Sequence, residues 1–299
     1  MAFALKAISV GKPTVIVMIN GGVISIDGLK ESAPAILNAW MPGAHGAGAV
    51  AKAIFGLSNP GGKMPVTMCV TQRALCRQRR SYPRRALARR VASFTSLRIS
   101  SKRSLASNAH SLHRRYPSSY VYDVSMLDMS MQAGPGRSYK FYTGTPLYSF
   151  GFGLSYTHFA LKWAPHPPTS PRLLTVDAAA TTVAYTCTVT NTGAVAGDEV
   201  VLAYVVPKRS SFGDAVAASD PMPIKELVAF ERVTVAAGAT ATVTFELPSE
   251  RFSLVDADGH RSIVPGVFDV VLSRGHGDEL STTVVVRGTK RLSTFRKWW

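Results

Sequence analysis

The chain has 299 residues, 46% of them apolar, which is enough for two domains with a core each. No run approaches the roughly 18 uncharged apolar residues of a membrane span, so no membrane partner is expected. The net charge of +16 points to nucleic acid until its distribution is read: Thr71 to Arg115 hold 13 Lys or Arg and no Asp or Glu, and removing them leaves +3.

The opening Met1 to Gly22 is apolar but is not laid out as a signal peptide. Lys6 and Lys12 interrupt it and Pro13 breaks it. Thr14 to Ile19 reads as a buried strand, so the chain is expected to begin inside a domain. The β-branched run Pro13-Thr14-Val15-Ile16-Val17-Met18-Ile19 suits a strand covered on both faces, as in a parallel sheet. Asn20-Gly21-Gly22 ends it. A second apolar run, Ala35 to Trp40, leads through Met41-Pro42-Gly43 into the Ala-rich segment Ala47 to Gly56. Apolar residues at 50, 53 and 54 predict a helix packed on a sheet, with Gly56 at its C-cap. Strand, turn and helix in this order indicate α/β construction.

Residues 69–117 carry Arg pairs at 79–80, 84–85 and 89–90 without clear periodicity, and 118–160 read as Met-, Gly- and Tyr-rich loops. Pro165, Pro167, Pro168 and Pro171 make 161–175 a stiff linker. Beyond it the chain reads as all-β. Val183 to Thr190 alternates with period two, Asn191-Thr192-Gly193 turns, and Glu199 to Val206 alternates less strictly. Leu227 to Val235, Thr240 to Leu247, Val267 to Leu272 and Thr282 to Val286 complete a predicted β-sandwich. The tail from Arg287 to Trp299 is basic and is expected to fray.

Few residues invite chemistry. Gly43-Ala44-His45-Gly46-Ala47-Gly48 follows a strand and opens a helix, where backbone N–H groups can hold an anion. Its spacing is GxxGxG, with no P-loop Lys, and it favours tight strand–helix packing. His45, His110, His113, His158, His166, His260 and His276 are scattered without acidic or Cys partners, so neither a metal nor a cofactor is expected. Cys69, Cys76 and Cys187 form no CxxC pair and read as free thiols. Sugar hydrolysis needs two carboxylates. The first 122 residues offer Asp27 and Glu31, while Asp198, Glu199, Asp256 and Asp258 fall where they shape turns and keep a surface soluble.

The motifs Lys12-Pro-Thr-Val-Ile-Val-Met18, Ala35 to Gly43, Ala53-Ile-Phe-Gly56 and Asn59-Pro-Gly-Gly-Lys-Met-Pro-Val-Thr67 resemble the C-terminal α/β domain of family 3 glycoside hydrolases, the β-glucosidases and β-xylosidases. Pro135-Gly-Arg-Ser-Tyr-Lys-Phe-Tyr-Thr-Gly144 and Leu147 to Thr157 are similar to the stretch leading out of that domain. Val189 to Gly193, Ala196 to Val200, Lys225 to Arg232 and Pro265-Gly266 resemble the fibronectin type III-like module that follows. The Pro-Gly-Arg-Ser-Tyr-Lys-Phe-Tyr form leans toward the β-xylosidase or arabinofuranosidase branch.

The implied fold class is α/β plus all-β: a partial α/β sandwich domain, with a parallel-type sheet and helices, followed by a fibronectin type III-like β-sandwich. The implied boundaries are 1–68 and 118–160 for the partial domain, 69–117 for a basic insertion and 161–175 for the linker. The sandwich then takes 176–288 and the tail 289–299.

The resemblance also implies a retaining exo-acting β-glycosidase whose barrel carries the nucleophilic aspartate and whose acid/base glutamate precedes the first strand of this chain. Neither is matched here. The chain is therefore expected to be a C-terminal fragment, inactive alone and complemented by a barrel, with no catalytic residue of its own, and with substrate-binding residues and compartment left open. The alternatives are a non-catalytic module that binds carbohydrate or a protein partner, and nucleic-acid binding through 71–115. The second is weakened by the presence of only Tyr82 and Phe94 as stacking groups in that segment.

Overall fold

In the computed structural model the described residues are 2–24, 26, 28–69, 128–168, 170, 172–175, 181–217 and 219–294. Beyond Cys69, the insertion read at 69–117 lies outside them. The described residues fall into two compact units. Of the described residues, the first takes those within 2–54, 68–69, 128–134 and 144–147; the second takes those within 55–67, 135–143 and 148–294.

In the first unit, helix α1 (Ala2–Ile8) buries none of its residues, and β1 (Val15–Ile19) follows it. A short helix α2 (Leu29–Ser32) leads to β2 (Ala35–Trp40) and then α3 (Gly46–Ile54). Strands β1 and β2 pair in parallel, Val15 opposite Ala35 through Met18 opposite Asn38, as the β-branched run predicts. The expected cover on both faces is not found: Met18 is the buried residue of β1, while Val15 and Ile19 are exposed. Helix α3 buries Gly46 and Ala53, and Gly56 behind it takes φ 72°, the left-handed conformation that ends a helix. Lys30 Nζ donates to the Leu147 carbonyl at 2.8 Å. The short strands β3 (Met68–Cys69) and β4 (Pro146–Tyr148) pair with each other; helix α4 (Ser138–Phe141), between them in sequence, belongs to the second unit.

The second unit is a β-sandwich of a three-stranded and a five-stranded sheet. The smaller sheet has β7 (Thr182–Asn191) between β10 (Thr240–Pro248) and β5 (Phe159–Trp163). The larger runs β6 (Arg172–Thr175), β14 (Glu279–Arg287), β13 (Gly266–Ser273), β8 (Gly197–Pro207) and β9 (Glu226–Val235). Alternation puts Val183, Tyr185, Cys187 and Val189 of β7 inside, facing Val201, Val270, Leu272 and Val284 of the larger sheet.

Two sequence expectations meet a different structure here. Residues 161–175, expected as a stiff linker, include the end of β5 and all of β6, and each of these strands joins a sheet. The stretches 55–67, 135–143 and 148–160 group with the sandwich in one compact unit. Lys290–Thr294, expected to fray, forms β15 and pairs with β12 (His260–Ile263), which also pairs with β11 (Ser253–Val255).

Candidate functional site

In the first unit, the carboxyl ends of β1 and β2 are the most irregular part of the parallel pair. The register slips between Met18 and Ile19, bringing Ile19 opposite Trp40. Trp40 takes φ 51°, a left-handed conformation that costs a non-glycine residue about 1–2 kcal/mol. The strain is fixed from two sides: Asn20 N–H donates to the Trp40 carbonyl at 3.1 Å, and Trp40 N–H donates to Asn38 Oδ1 at 3.3 Å. Asn20 Nδ2 closes its own turn on the Gly22 carbonyl at 2.5 Å. Its Oδ1 is buried and has no hydrogen-bond partner among the described residues. Met41 is 73% exposed, and its Cε lies 3.1 Å from where a Gly21 side chain would start.

The predicted Gly43–Gly48 turn does join strand to helix. Gly43 takes φ 70°, and its carbonyl accepts from Gly46 N at 3.1 Å. Gly46 is buried against the Pro42 ring, as tight strand–helix packing requires. His45, His158 and His166 are exposed, and His260 pairs with Asp256 at 3.1 Å in a surface turn. His110, His113, Cys76, Asp27 and the basic segment 71–115 lie outside the described residues. Among the described residues no three His, Cys, Asp or Glu gather as a metal site would need. Cys187 is a buried free thiol, which burial pushes up to about 11. Asp256 shapes its turn as expected, accepting from Asp258 N and His260 N at 2.9 and 2.8 Å. Asp198 accepts from Arg232 Nε at 3.0 Å and Thr234 Oγ1 at 2.7 Å, and the Thr234 hydroxyl and the guanidinium hold it below its ordinary range.

Glu199 departs from the expected solvated role. It is 2% exposed, on the same face of β8 as Val201. Lys63 Nζ lies 2.5 Å from its Oε1, and Arg274 Nε lies 2.9 Å from its Oε2. Val200 N–H adds a third donor at 2.9 Å. Arg274 also donates to the Phe159 carbonyl. Burial lowers the Lys63 ammonium despite the adjacent carboxylate, and burial followed by the charges of Lys63 and Arg274 lowers His276. A carboxylate clamped in this way is an anchor and is badly placed to move a proton.

Lys63 belongs to the Asn59–Lys63 loop, which is fixed at its other end too. Asn59 Oδ1 accepts from Ser155 Oγ at 2.9 Å and Tyr156 N at 2.8 Å, and Asn59 Nδ2 donates to Ala196 O at 3.1 Å. Sequence patterning missed this cluster. The available signal was period two, which puts Glu199 on the core face with Val201.

Two family profiles match the chain: the Glycosyl hydrolase family 3 C-terminal domain over residues 2–156 and the Fibronectin type III-like domain over residues 199–275. A β-xylosidase of Formosa agariphila is 32% identical over 274 residues, covering 91% of this chain and 30% of that protein. Among solved structures, a GH3 exo-β-xylosidase in complex with a xylobiose aziridine activity-based probe superposes with a TM-score of 0.71 at 23% identity. It covers 99% of this chain and 33% of its own. A β-glucosidase from Listeria innocua in complex with glucose gives 0.62 at 27% identity, covering 96% and 32%. The chain thus spans less than a third of the length of that β-xylosidase. With one profile spanning more than half of its residues and relatives aligned across both units, the chain belongs to glycosyl hydrolase family 3.

Proposed function

We propose that this chain is the C-terminal part of a retaining, exo-acting β-glycosidase of the β-xylosidase type, and that both catalytic carboxylates come from outside these 299 residues. The observation that carries the reading is the alignment with a β-xylosidase over 91% of the chain. Retaining hydrolysis uses one carboxylate as nucleophile and one as acid/base, roughly 5 Å apart. Within this chain Glu199 and Asp198 are both occupied by cations. The chain's own contribution is then architectural: it supplies the strand–turn–helix of the first unit and a sandwich that holds the Asn59–Lys63 loop. The substrate class is a β-linked xyloside or glucoside, and the complementing part is a barrel.

The test is an exchange. The purified chain is assayed on nitrophenyl β-xyloside and β-glucoside, and the same chain then replaces the matching C-terminal part of the Formosa agariphila β-xylosidase. No turnover alone and turnover of the xyloside by the chimera are expected. Turnover by the isolated chain overturns the claim that the carboxylates lie elsewhere. A folded but inactive chimera overturns the β-xylosidase assignment.

A further inference from the structure

We propose that residues Asn59–Met64 form an acid-released strap, held on the sandwich while His276 is neutral and freed when His276 takes up a proton. The device lies within the second unit and does not depend on the glycosidase reading. At one end of the larger sheet the strap, residues 149–153 and the turn that leaves β13 stack on each other. Met64 N–H donates to the Phe152 carbonyl at 2.7 Å, and Gly151 N–H donates to the Met64 carbonyl at 2.8 Å. A side chain at residue 153 would run into the Gly62 carbonyl, and one at residue 275 into the backbone of Gly151. Ser149 Oγ donates to the Gly275 carbonyl at 3.4 Å. What happens in the turn is therefore felt by the strap.

One carboxylate holds the strap by charge. Glu199, at the start of β8, faces Lys63 from the strap and Arg274 from the turn, so the buried cluster already has more positive than negative charge. The two other acids of the turn do not redress this. Asp278 lies 3.9 Å from Arg274 but is largely in water, and Glu279 accepts from Ser273 Oγ at 2.9 Å. His276 sits in the same turn. Its ring packs on Phe152 with centroids 5.5 Å apart, and its Nδ1 is buried without a hydrogen-bond partner among the described residues. A neutral imidazole can present a lone pair at that atom, whereas an imidazolium must place an N–H there with nothing to accept it. Protonation also adds another cation beside Lys63 and Arg274. Burial, followed by those two charges, already holds the imidazole below its ordinary range, against the pull of Glu199. Arg274 is tied a second time, to the Phe159 carbonyl, while Lys63 rides on a loop with glycines at 61 and 62. The repulsion is relieved by the member that can move, which is the strap.

The test follows amide hydrogen exchange by NMR in the full chain from pH 7.5 to pH 5, each rate divided by that of an unstructured peptide at the same pH. Met64, Gly151 and Tyr156 report on the strap, because their N–H groups bond to it or from it. Val270 and Val284, fully buried, report on the core. A histidine that accepts its proton more readily after release favours release as pH falls below about 6.5. Protection of the strap amides in the wild-type chain should therefore fall by about tenfold across the range, while core protection holds. His276→Phe, which keeps a ring against Phe152, and His276→Gln should both hold the strap protected down to pH 5. Circular dichroism checks that each variant is folded. Constant strap protection in wild type overturns the device. An equal fall in either folded variant does so too, as does a fall shared by Val270 and Val284, which would mean unfolding of the whole sandwich.

Discussion

Lys63 Nζ sits 2.5 Å from Glu199 Oε1, with the two side chains only 11% and 2% exposed, so the Asn59–Lys63 loop is bolted to β8, an interior strand of the larger sheet. Removing one member of a buried ion pair leaves the other charge without compensation, at a cost of about 3–5 kcal/mol. Glu199→Ala strands two cations, Lys63 and Arg274, and should lower unfolding stability by that order in urea titration. Lys63→Met leaves Arg274 on the carboxylate and should cost less. A loss under 1 kcal/mol for Glu199→Ala would contradict the anchoring role.

His276 gives a pH dependence whose sign can be worked out. Its folded pKa is lowered by burial first and then by Lys63 and Arg274, with Glu199 opposing. The folded state therefore disfavours the proton, and the stability His276 contributes is complete above its unfolded value of about 6.5. It is lost as pH falls from there through the lowered folded pKa. Thermal melts from pH 7.5 downward should show wild type losing stability in this window. His276→Phe should flatten that part of the profile.

Cys187 faces the core between the sheets, and burial pushes its thiol up to about 11. Thiolate is the reactive form, so at pH 8 roughly a thousandth of this thiol is ionised even before access is considered. Alkylation with iodoacetamide and peptide mass mapping should leave Cys187 unmodified in the native chain and modify it fully in urea. Native labelling at Cys187 would mean that the sandwich opens on the labelling timescale.

Asn191 tests whether the sandwich depends on one buried amide. It is fully buried. Its Oδ1 accepts from Thr157 Oγ1 at 2.6 Å and Gly193 N at 3.1 Å, and its Nδ2 donates to Val195 O at 2.8 Å and Val235 O at 3.0 Å. Every hydrogen-bonding position of the amide is used. Asn191→Ala leaves those partners buried and should cost about 2–3 kcal/mol, read from the urea midpoint. Asn191→Asp keeps the acceptor but loses both donated bonds and should not rescue it.

The strands that were legible in the sequence are those with one dry face and one wet face. β7 announces itself because Val183, Tyr185, Cys187 and Val189 alternate with polar residues. β8 was harder to read for a physical reason now visible. Leu202 and Tyr204 on its other face are also buried, the first close to Gly151 and the second against the Tyr139 ring at 6.1 Å. A strand covered on both sides loses its period. The short strands β11, β12 and β15 escaped because pairing defines them and not periodicity: β11 and β12 pair across the Asp256–Gly259 turn, and β15 returns from far along the chain to pair with β12. The prolines between 165 and 171 predict a linker, and nothing in them reveals that Phe159–Trp163 and Arg172–Thr175 join different sheets.

The candidate site was less legible still. Nothing in Leu37-Asn38-Ala39-Trp40 signals a left-handed tryptophan, since residues with positive φ are ordinarily sought among glycines. Glu199 reads as a strand-end carboxylate because it follows Gly197 and Asp198 at the start of β8. The Asn59–Lys63 loop drew attention as a motif, yet its partners, Ser155, Ala196 and Glu199, all lie far along the chain.

The parallel pairing of β6 with β14 has a consequence during synthesis. Leu173 and Leu174 lie beside Val285 and Val286, so the strand that opens the larger sheet must wait for the strand near its end. With about a hundred residues between them and elongation at roughly 5–20 residues per second, that wait lasts on the order of ten seconds. Throughout it, a nascent chain presents Leu173 and Leu174 with neither neighbour nor cover. A holding chaperone would find its target there, and slowing elongation between the two strands should lengthen the period of capture without altering the finished protein.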